Sequence, residues 1–285
     1  MILGGALLWG TTGTVQAFAP AGFDPLVIGS LRLLIGGLAL LLLALQQQEI
    51  VRIRLGNPLA FFLAALFIAG YQLCFFTAVF KTGVAIGTAI GIGSAPVAGG
   101  LLGFLFRGER LGRHWLLATL LAIGGCTLLC LADGMVRADL LGILLAVGAG
   151  TCYAAFTLVL KGLLQQNSSL SVVTMVFCLG ALILFPLLLT SDIDWVLQPR
   201  AIAIVLYLGI VATAVPYLLF ARGLKNVRIS SATTLSLAEP LTAATLGLLL
   251  LNEQLELQAG SGIILIFIGL AVLIRAAPNT TLQAH

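Results

Sequence analysis

Glu239 is the side chain whose position in the sequence most clearly suggests chemistry. It lies deep within an apolar segment and is followed directly by Pro240. A charge at the centre of a bilayer costs at least about 2.5–3.5 kcal/mol on insertion scales, so an acidic residue there is a functional candidate by default. Ionised, it would bind an ammonium group; otherwise it would take up and release a proton. The alternative is a structural role, paired with Arg32 or hydrogen-bonded within its own helix.

Arg32 is a basic residue inside another apolar segment. It lies roughly 10 Å of helical rise from the nearer end of that segment. Its guanidinium would pair with a buried carboxylate or with a substrate carboxylate, or it would extend to the membrane interface. Glu239 and Arg32 are therefore the candidates for an ion-pair or proton site.

Aromatic, hydroxyl and amide side chains in other apolar segments would suit a small amphipathic molecule. Trp9, Thr12 and Gln16 follow one another at steps of three and four, which places them close to one face of a helix. Such groups build a mostly apolar pocket with a few orienting polar groups. For each aromatic taken singly, ordinary packing is the alternative. The candidate substrate-binding residues are Trp9, Thr12, Gln16, Tyr71, Gln72, Phe75, Tyr153, Thr157, Tyr217, Ser236 and Glu239.

The elements that position these residues are membrane-spanning helices. The chain has 285 residues, of which 60% are hydrophobic and 8% charged, so it has too few polar groups to cover a soluble surface. A helix needs about 20 apolar residues to cross about 30 Å of hydrocarbon. We predict ten spans, at residues 2–19, 26–45, 58–80, 83–106, 113–131, 139–160, 170–190, 200–221, 229–251 and 256–275.

The chain also repeats itself at an offset of 144 residues, which pairs Lys81 with Lys225 and Pro96 with Pro240. Each copy, residues 1–135 and residues 136–285, holds five predicted spans. Because five is odd, the second copy must be inverted in the membrane. The expected fold is an all-α integral membrane protein of ten transmembrane helices in two inverted-topology repeats, an architecture of secondary transporters.

Two prolines occupy equivalent mid-span positions in the two copies. Pro96 and Pro240 lack an N–H and clash with the carbonyls four residues earlier, at Ile92 and Ser236. Lipid does not satisfy a freed carbonyl, so each should face protein or a wet cavity. We predict hinges at both prolines, with a static kink as the alternative.

Small residues recur at every fourth position around Pro96. This spacing predicts a stripe along which another helix approaches closely. In the second copy the equivalent register contains Glu239, whose carboxylate should therefore face the bundle. The stripe consists of Gly83, Gly87, Gly91, Ala95, Gly99 and Gly103.

The net charge of +4 reflects membrane topology and not a nucleic-acid-binding patch. With the N-terminus in the cytoplasm, ten basic residues fall in inside segments and three in outside segments. This bias predicts that both termini are cytoplasmic. In that topology Glu109 is cytoplasmic and Glu253 external, and we expect each to interact with the dipole of the helix that follows it.

The chain resembles the drug/metabolite transporter superfamily, in its ten-helix branch of two EamA-type repeats. The resemblance rests on the stretch from Leu8 to Thr11, on Leu31-Arg32, on Pro96 followed by Glu109, and on Glu239-Pro240 followed by the stretch from Asn252 to Leu255. It implies an inner-membrane carrier, often an exporter of amino acids or related metabolites, and within the branch the chain is similar to YddG-type exporters. One departure is Ala95, where the second copy has Glu239.

These features favour a single-chain secondary transporter that moves small amphipathic metabolites, above all neutral or aromatic amino acids, outward across the inner membrane by alternating access. The alternatives are proton-driven export of other metabolites or drugs and, in a different class, a membrane channel. No HExxH, nucleophile elbow or phosphate loop indicates an enzyme. All five cysteines fall within spans, so we expect neither a metal site nor a cofactor.

Overall fold

The computed structural model describes residues 1–16, 18–20, 24–49, 53–54, 56–82, 84–131, 139–250 and 257–276. Within these ranges the regular structure is entirely helical. A 3-10 turn spans Asp194–Leu197, and a π-helical turn spans Ile210–Ala214. The α-helices are α1 (Ile2–Gln16), α2 (Pro25–Gln46), α3 (Pro58–Thr82), α4 (Val84–Arg107), α5 (Arg113–Leu131), α6 (Leu140–Leu163), α7 (Ser169–Thr190), α8 (Pro199–Gly209), α9 (Val215–Leu224), α10 (Ile229–Leu235), α11 (Ala238–Leu250) and α12 (Leu257–Ala276).

Six helical stretches of the described chain are long and apolar enough to cross a membrane. Large apolar side chains such as Leu42, Leu120 and Leu189 lie exposed on the outside of the bundle. An apolar exterior of this kind suits contact with lipid, and the protein is a multi-pass membrane protein. The six stretches are Pro25–Gln46, Pro58–Thr82, Ile90–Arg107, Leu140–Leu163, Ser169–Thr190 and Pro199–Leu224.

Two of the predicted spans are divided in the structure. Span 200–221 consists of α8, the π-helical turn and α9, because Pro216 cannot donate to the carbonyl of Ala212. Span 229–251 consists of α10 and α11, separated at Ser236 and Leu237 just before Pro240. Hydroxyls in α10 bind backbone carbonyls one turn earlier, as Ser236 Oγ does to Ala232 O at 3.1 Å, which also favours a bend.

The two proline positions differ in their helices. α4 continues through Pro96 without a break, whereas Pro240 follows the α10–α11 break. The glycines of α4 lie close to different helices along its length. A Cβ on Gly87 would lie 2.8 Å from Val79 Cα, and one on Gly99 would lie 2.5 Å from Thr233 Oγ1. Gly83 lies outside the described residues.

Most of the extensive helix contacts join residues before position 132 to residues after position 138. α3 and α4 pack on α6, α1 packs on α9 and α11, α2 packs on α7, and α5 packs on α12. These contacts leave a space at the centre, bordered by α1, α3, α4, α6 and α10–α11.

The start of α6 is tied to the end of α3 by Asp139. Its Oδ1 accepts the N–H of Gly142 at 2.9 Å and its Oδ2 lies 3.5 Å from Lys81 Nζ. The hydrogen bond from Gly142 and the charge of Lys81 lower the pKa of Asp139. The carboxylate therefore caps α6 and links it to α3.

Candidate functional site

A cavity of about 260 Å³ lies at the centre of the bundle. It is bordered by side chains from α1, α2, α3, α4, α6, α9, α10 and α11, which come from both halves of the chain. Its lining includes most of the predicted candidates: Trp9, Thr12, Gln16, Arg32, Tyr71, Gln72, Phe75, Tyr153, Tyr217, Ser236, Glu239, Pro240 and Gly91.

The α1 face contributes hydrogen-bonding groups that have no partner in the described protein. They are Trp9 Nε1, Thr12 Oγ1 and Gln16 Nε2, and all three residues line the cavity. A buried polar group without a partner costs about 1–3 kcal/mol. Such groups are explained when a ligand or water in the cavity completes their hydrogen bonds.

Aromatic rings form one wall of the cavity. The ring centroids of Trp9 and Tyr217 are 4.8 Å apart, and those of Trp9 and Tyr153 are 6.1 Å apart. The ring centroid of Tyr71 lies 5.8 Å from that of Tyr153 and 5.6 Å from that of Phe75. The rings thus support one another and present an apolar, polarizable surface suited to a planar or aliphatic group.

Glu239 lies in the first turn of α11, directly after the break that separates α10 from α11. Its backbone N–H donates to Ser236 O at 3.0 Å. Its half-buried carboxylate lines the cavity and makes no hydrogen bond or ion pair with the described residues. The pairing with Arg32 that the sequence offered as the structural alternative is not formed, since Arg32 bonds to Thr213 and Ala212.

Arg32 is buried, at 8% exposure, and is held by the π-helical turn. Its Nε donates to Thr213 Oγ1 at 3.1 Å and its Nη2 donates to Ala212 O at 3.2 Å. Ala212 is the residue whose carbonyl Pro216 leaves without its helical donor. Arg32 also lines the cavity, and its Nη1 makes no bond to the described residues.

The other candidates fall inside and outside the cavity. Tyr153 Oη and Ser236 Oγ are 2.9 Å apart, and Gln72 Nε2 donates to Gly29 O at 3.2 Å. Thr157 does not line the cavity: its buried hydroxyl donates to Tyr153 O at 2.9 Å, within α6. Pro96 and the stripe glycines Gly87, Gly99 and Gly103 also lie outside the lining.

Several lining residues were not among the sequence candidates. Thr233 lies one turn before Ser236 on the same face of α10, a spacing that would have suggested it. The remaining ones, mostly apolar, carry no such signal: Gly10, Gly13, Pro25, Phe76, Val79, Thr88, Ile92 and Ala243.

Comparisons with known proteins identify a family that matches this chain. The EamA-like transporter family model matches residues 1–131 and 140–275. The chain is 46% identical over 278 residues to the uncharacterized transporter YwfM of Bacillus subtilis, covering 98% of this chain and 93% of that protein. It is 30% identical over 267 residues to an uncharacterized transporter of Archaeoglobus fulgidus, covering 91% of each.

The fold also resembles that of a protein solved by crystallography. The two superpose with a TM-score of 0.79 at 19% sequence identity, over 95% of this chain and 94% of the other. The family match covers nearly all of the sequence, and both matched segments border the central cavity. The chain belongs to the EamA-like transporter family.

Proposed function

We propose that this chain exports small zwitterionic, amphipathic metabolites, above all neutral or aromatic amino acids, across the inner membrane by alternating access. The observation that carries the proposal is that the Glu239 carboxylate and the Arg32 guanidinium line the same aromatic-walled cavity without pairing to each other. A zwitterion would satisfy both, with its ammonium group at Glu239 and its carboxylate at Arg32 Nη1.

The size and surface of the cavity support a small solute. Small-molecule pockets measure about 300–1,000 Å³, so a cavity of about 260 Å³ favours a molecule of amino-acid size. The rings of Trp9, Tyr71 and Tyr217 would contact its side chain, while the unpartnered groups of α1 would orient it.

The transport mechanism rests on two inverted five-helix repeats, residues 1–135 and 136–285, with ten transmembrane helices. Helix contacts support this arrangement, because α3 on α6 and α1 on α9 are equivalent pairs at the offset of 144 residues. The equivalent helices α2 and α7 run antiparallel, since Leu33 lies beside Gly180 whereas Leu40 O accepts from Thr174 Oγ1 at 3.2 Å. In a single chain, functional as a monomer, such repeats can expose one central site to either side in turn.

The charge distribution supports cytoplasmic termini. Arg54 and Lys225 both bond to Asn167, and Arg228 Nη1 donates to Arg110 O at 3.2 Å. These basic residues therefore meet at one end of the bundle, which the positive-inside rule assigns to the cytoplasm. We call this end the Glu109 face, because the α4–α5 connection with Glu109 belongs to it.

Counterflow in proteoliposomes tests the proposal. Labelled neutral and aromatic amino acids should enter vesicles preloaded with unlabelled solute in a saturable manner. Glu239→Gln should lower this counterflow at least about tenfold, because hydrogen bonds to a charged group are worth about 1.5–3 kcal/mol. Arg32→Gln should abolish the preference for an amino acid over its carboxamide. Asp139→Asn, a carboxylate outside the cavity, serves as the matched control.

Full counterflow in the Glu239→Gln variant would contradict the proposed role of this residue. Absence of counterflow with any amino acid, in protein shown to be folded, would contradict the substrate class. The second candidate is proton antiport of other metabolites or drugs, which the unpartnered Glu239 carboxylate supports. It predicts that counterflow of such a solute depends on pH and that Glu239→Gln removes this dependence.

A further inference from the structure

Glu109 makes an unexpected connection between the two copies of the repeat. The sequence predicted an interaction with the following helix, α5, but the carboxylate binds the start of α10. It accepts the N–H of Ile229 at 2.6 Å, the N–H of Ser230 at 3.1 Å and the Ser230 hydroxyl at 2.7 Å. Glu109 is buried, at 8% exposure. Three hydrogen bonds to one carboxylate in a buried position make a strong attachment.

Two glycines shape the backbone around this carboxylate. Gly108 ends α4 with a φ of +62°, a conformation that disfavours residues with a Cβ. Glu109 N then donates to Gly103 O at 3.0 Å, which folds the residue back over α4. A Cβ on Gly103 would lie 2.6 Å from Glu109 Oε2, so a side chain there would displace the carboxylate.

Further contacts hold α10 against the first copy. Trp115 Nε1 donates to Ser230 O at 3.0 Å, and the hydroxyls of Thr119 and Thr234 are 3.0 Å apart. Thr233 packs directly on Gly99. All of these contacts fix a seven-residue helix whose other end is the break at Ser236 and Leu237.

The central cavity lies on the other side of α10 from Glu109. From α4 it is lined by Thr88, Gly91, Ile92 and Ala95, all in the first half of Val84–Arg107. From α3 it is lined by Tyr71 through Val79, in the second half of Pro58–Thr82. The cavity therefore occupies the half of the bundle away from the Glu109 face. Thr233 of α10 and Ser236, directly after it, border the cavity, so α10 stands between the cavity and that face.

We infer that Glu109 is a positioning residue for transport, whose bonds to Ile229 and Ser230 hold α10 as the closed gate between the cavity and the Glu109 face. Release of these bonds lets α10 turn at Ser236–Leu237, which opens the cavity to that face. This inference rests on the proposed alternating-access function, and it assigns the contact that controls access to the same site.

Accessibility of single cysteines tests the gate without any substrate. Thr233→Cys probes the gate, because Thr233 is fully buried where α10 packs on Gly99. Thr88→Cys probes the cavity itself, in the half of the bundle away from the Glu109 face. Each is labelled in vesicles of defined orientation with a membrane-impermeant methanethiosulfonate, and the chain with its five native cysteines gives the background.

Glu109→Gln should raise labelling of Thr233→Cys from the Glu109 face about tenfold, because neutral hydrogen bonds replace charge-assisted ones. It should lower labelling of Thr88→Cys from the opposite face, since opening one side closes the other. Loss of a purely structural bond would loosen the fold and raise both rates. Ser230→Ala, which removes one hydroxyl, should produce the same opposed shifts at about threefold, and Asp192→Asn should produce none.

Unchanged labelling in both Glu109→Gln and Ser230→Ala, or a rise at both probes, overturns the gate. Transport data separate this from the proposed function. Glu109→Gln should change the maximal rate of counterflow and leave the half-saturating concentration unchanged, since Glu109 does not line the cavity. Opposed labelling shifts in a chain that carries no amino acid would keep the gate and reject the proposed substrate. Normal amino-acid counterflow without labelling shifts would keep the proposed substrate and reject the gate.

Discussion

At the scale of single residues, the unusual feature is a group of buried polar side chains without hydrogen-bond partners in the described protein. The indole N–H of Trp9, the Thr12 hydroxyl and the Gln16 amide nitrogen are buried on α1 without partners in the described protein, and these residues line the same cavity as Glu239. Folding alone does not favour this arrangement, because each unpartnered group costs free energy. A solute that supplies the missing partners recovers that free energy on binding.

Trp9→Phe removes the unpartnered N–H and keeps an aromatic ring. We expect the half-saturating concentration for counterflow to rise about 3–10-fold, the equivalent of one hydrogen bond, without loss of thermal stability. Trp195→Phe is the matched control, since Trp195 Nε1 is also buried without a partner but the residue packs with Val27 and Ile28 outside the cavity. Similar effects of both substitutions on counterflow would show that Trp9 Nε1 makes no bond to the solute.

At the scale of elements, prolines interrupt the helices where the site is built. Pro216 leaves the carbonyl of Ala212 to Arg32, and Pro240 follows the break that places Glu239 at the start of α11. The carbonyl of Ala212 thus accepts from a guanidinium that lines the cavity, whereas that of Ser236 accepts the N–H of Glu239 at 3.0 Å. The interruptions therefore create site geometry, in keeping with the rule that irregular backbone in a membrane faces protein or a cavity.

Two glycines of α1 allow this packing to be tested. A Cβ on Gly10 would lie 2.6 Å from Glu239 O and 2.5 Å from Thr242 Cβ, whereas one on Gly13 would meet nothing within 4 Å. Gly10→Ala should push α11 away and lower the free energy of unfolding by about 1–3 kcal/mol. Gly13→Ala should leave stability unchanged. Thermal unfolding in detergent measures both, and equal midpoints would contradict the close approach of α1 to α11.

At the scale of the whole molecule, the connections form two chemically different ends. The α2–α3, α6–α7 and α9–α10 connections meet around Asn167, which Arg54 N contacts at 2.7 Å and Lys225 Nζ contacts at 3.1 Å. Asp139 and Lys81 pair where α3 ends and α6 begins, at the other end. By the positive-inside rule, the basic end should face the cytoplasm.

A single cysteine in place of the exposed Gln165 should therefore react with an impermeant maleimide only from the cytoplasmic side. One in place of the exposed Asp192 should react only from the outside. Labelling of intact cells and of inverted vesicles measures both, with native cysteines as background. Reaction of both positions from the same side would contradict the proposed topology.

The candidate site was largely predictable from local chemistry. Hydropathy, the offset of 144 residues and the prolines directed attention to Glu239, and spacing directed it to Trp9, Thr12 and Gln16. Thr157, which the sequence grouped with them, lies outside the cavity lining and bonds within its own helix. The partner of Glu109 was wrong, since proximity along the chain pointed to α5 while the carboxylate binds α10.

By itself, the sequence determined where helices form, that a break accompanies Pro240 and which end of the bundle is basic. These are local properties, set by the hydrophobicity, backbone chemistry and charge of neighbouring residues. Only the tertiary structure decided that Arg32 meets Thr213, that Glu109 meets Ser230 and that the candidate side chains enclose one cavity. The reason is that these contacts join residues more than 100 positions apart, and their geometry follows from the way the helices pack.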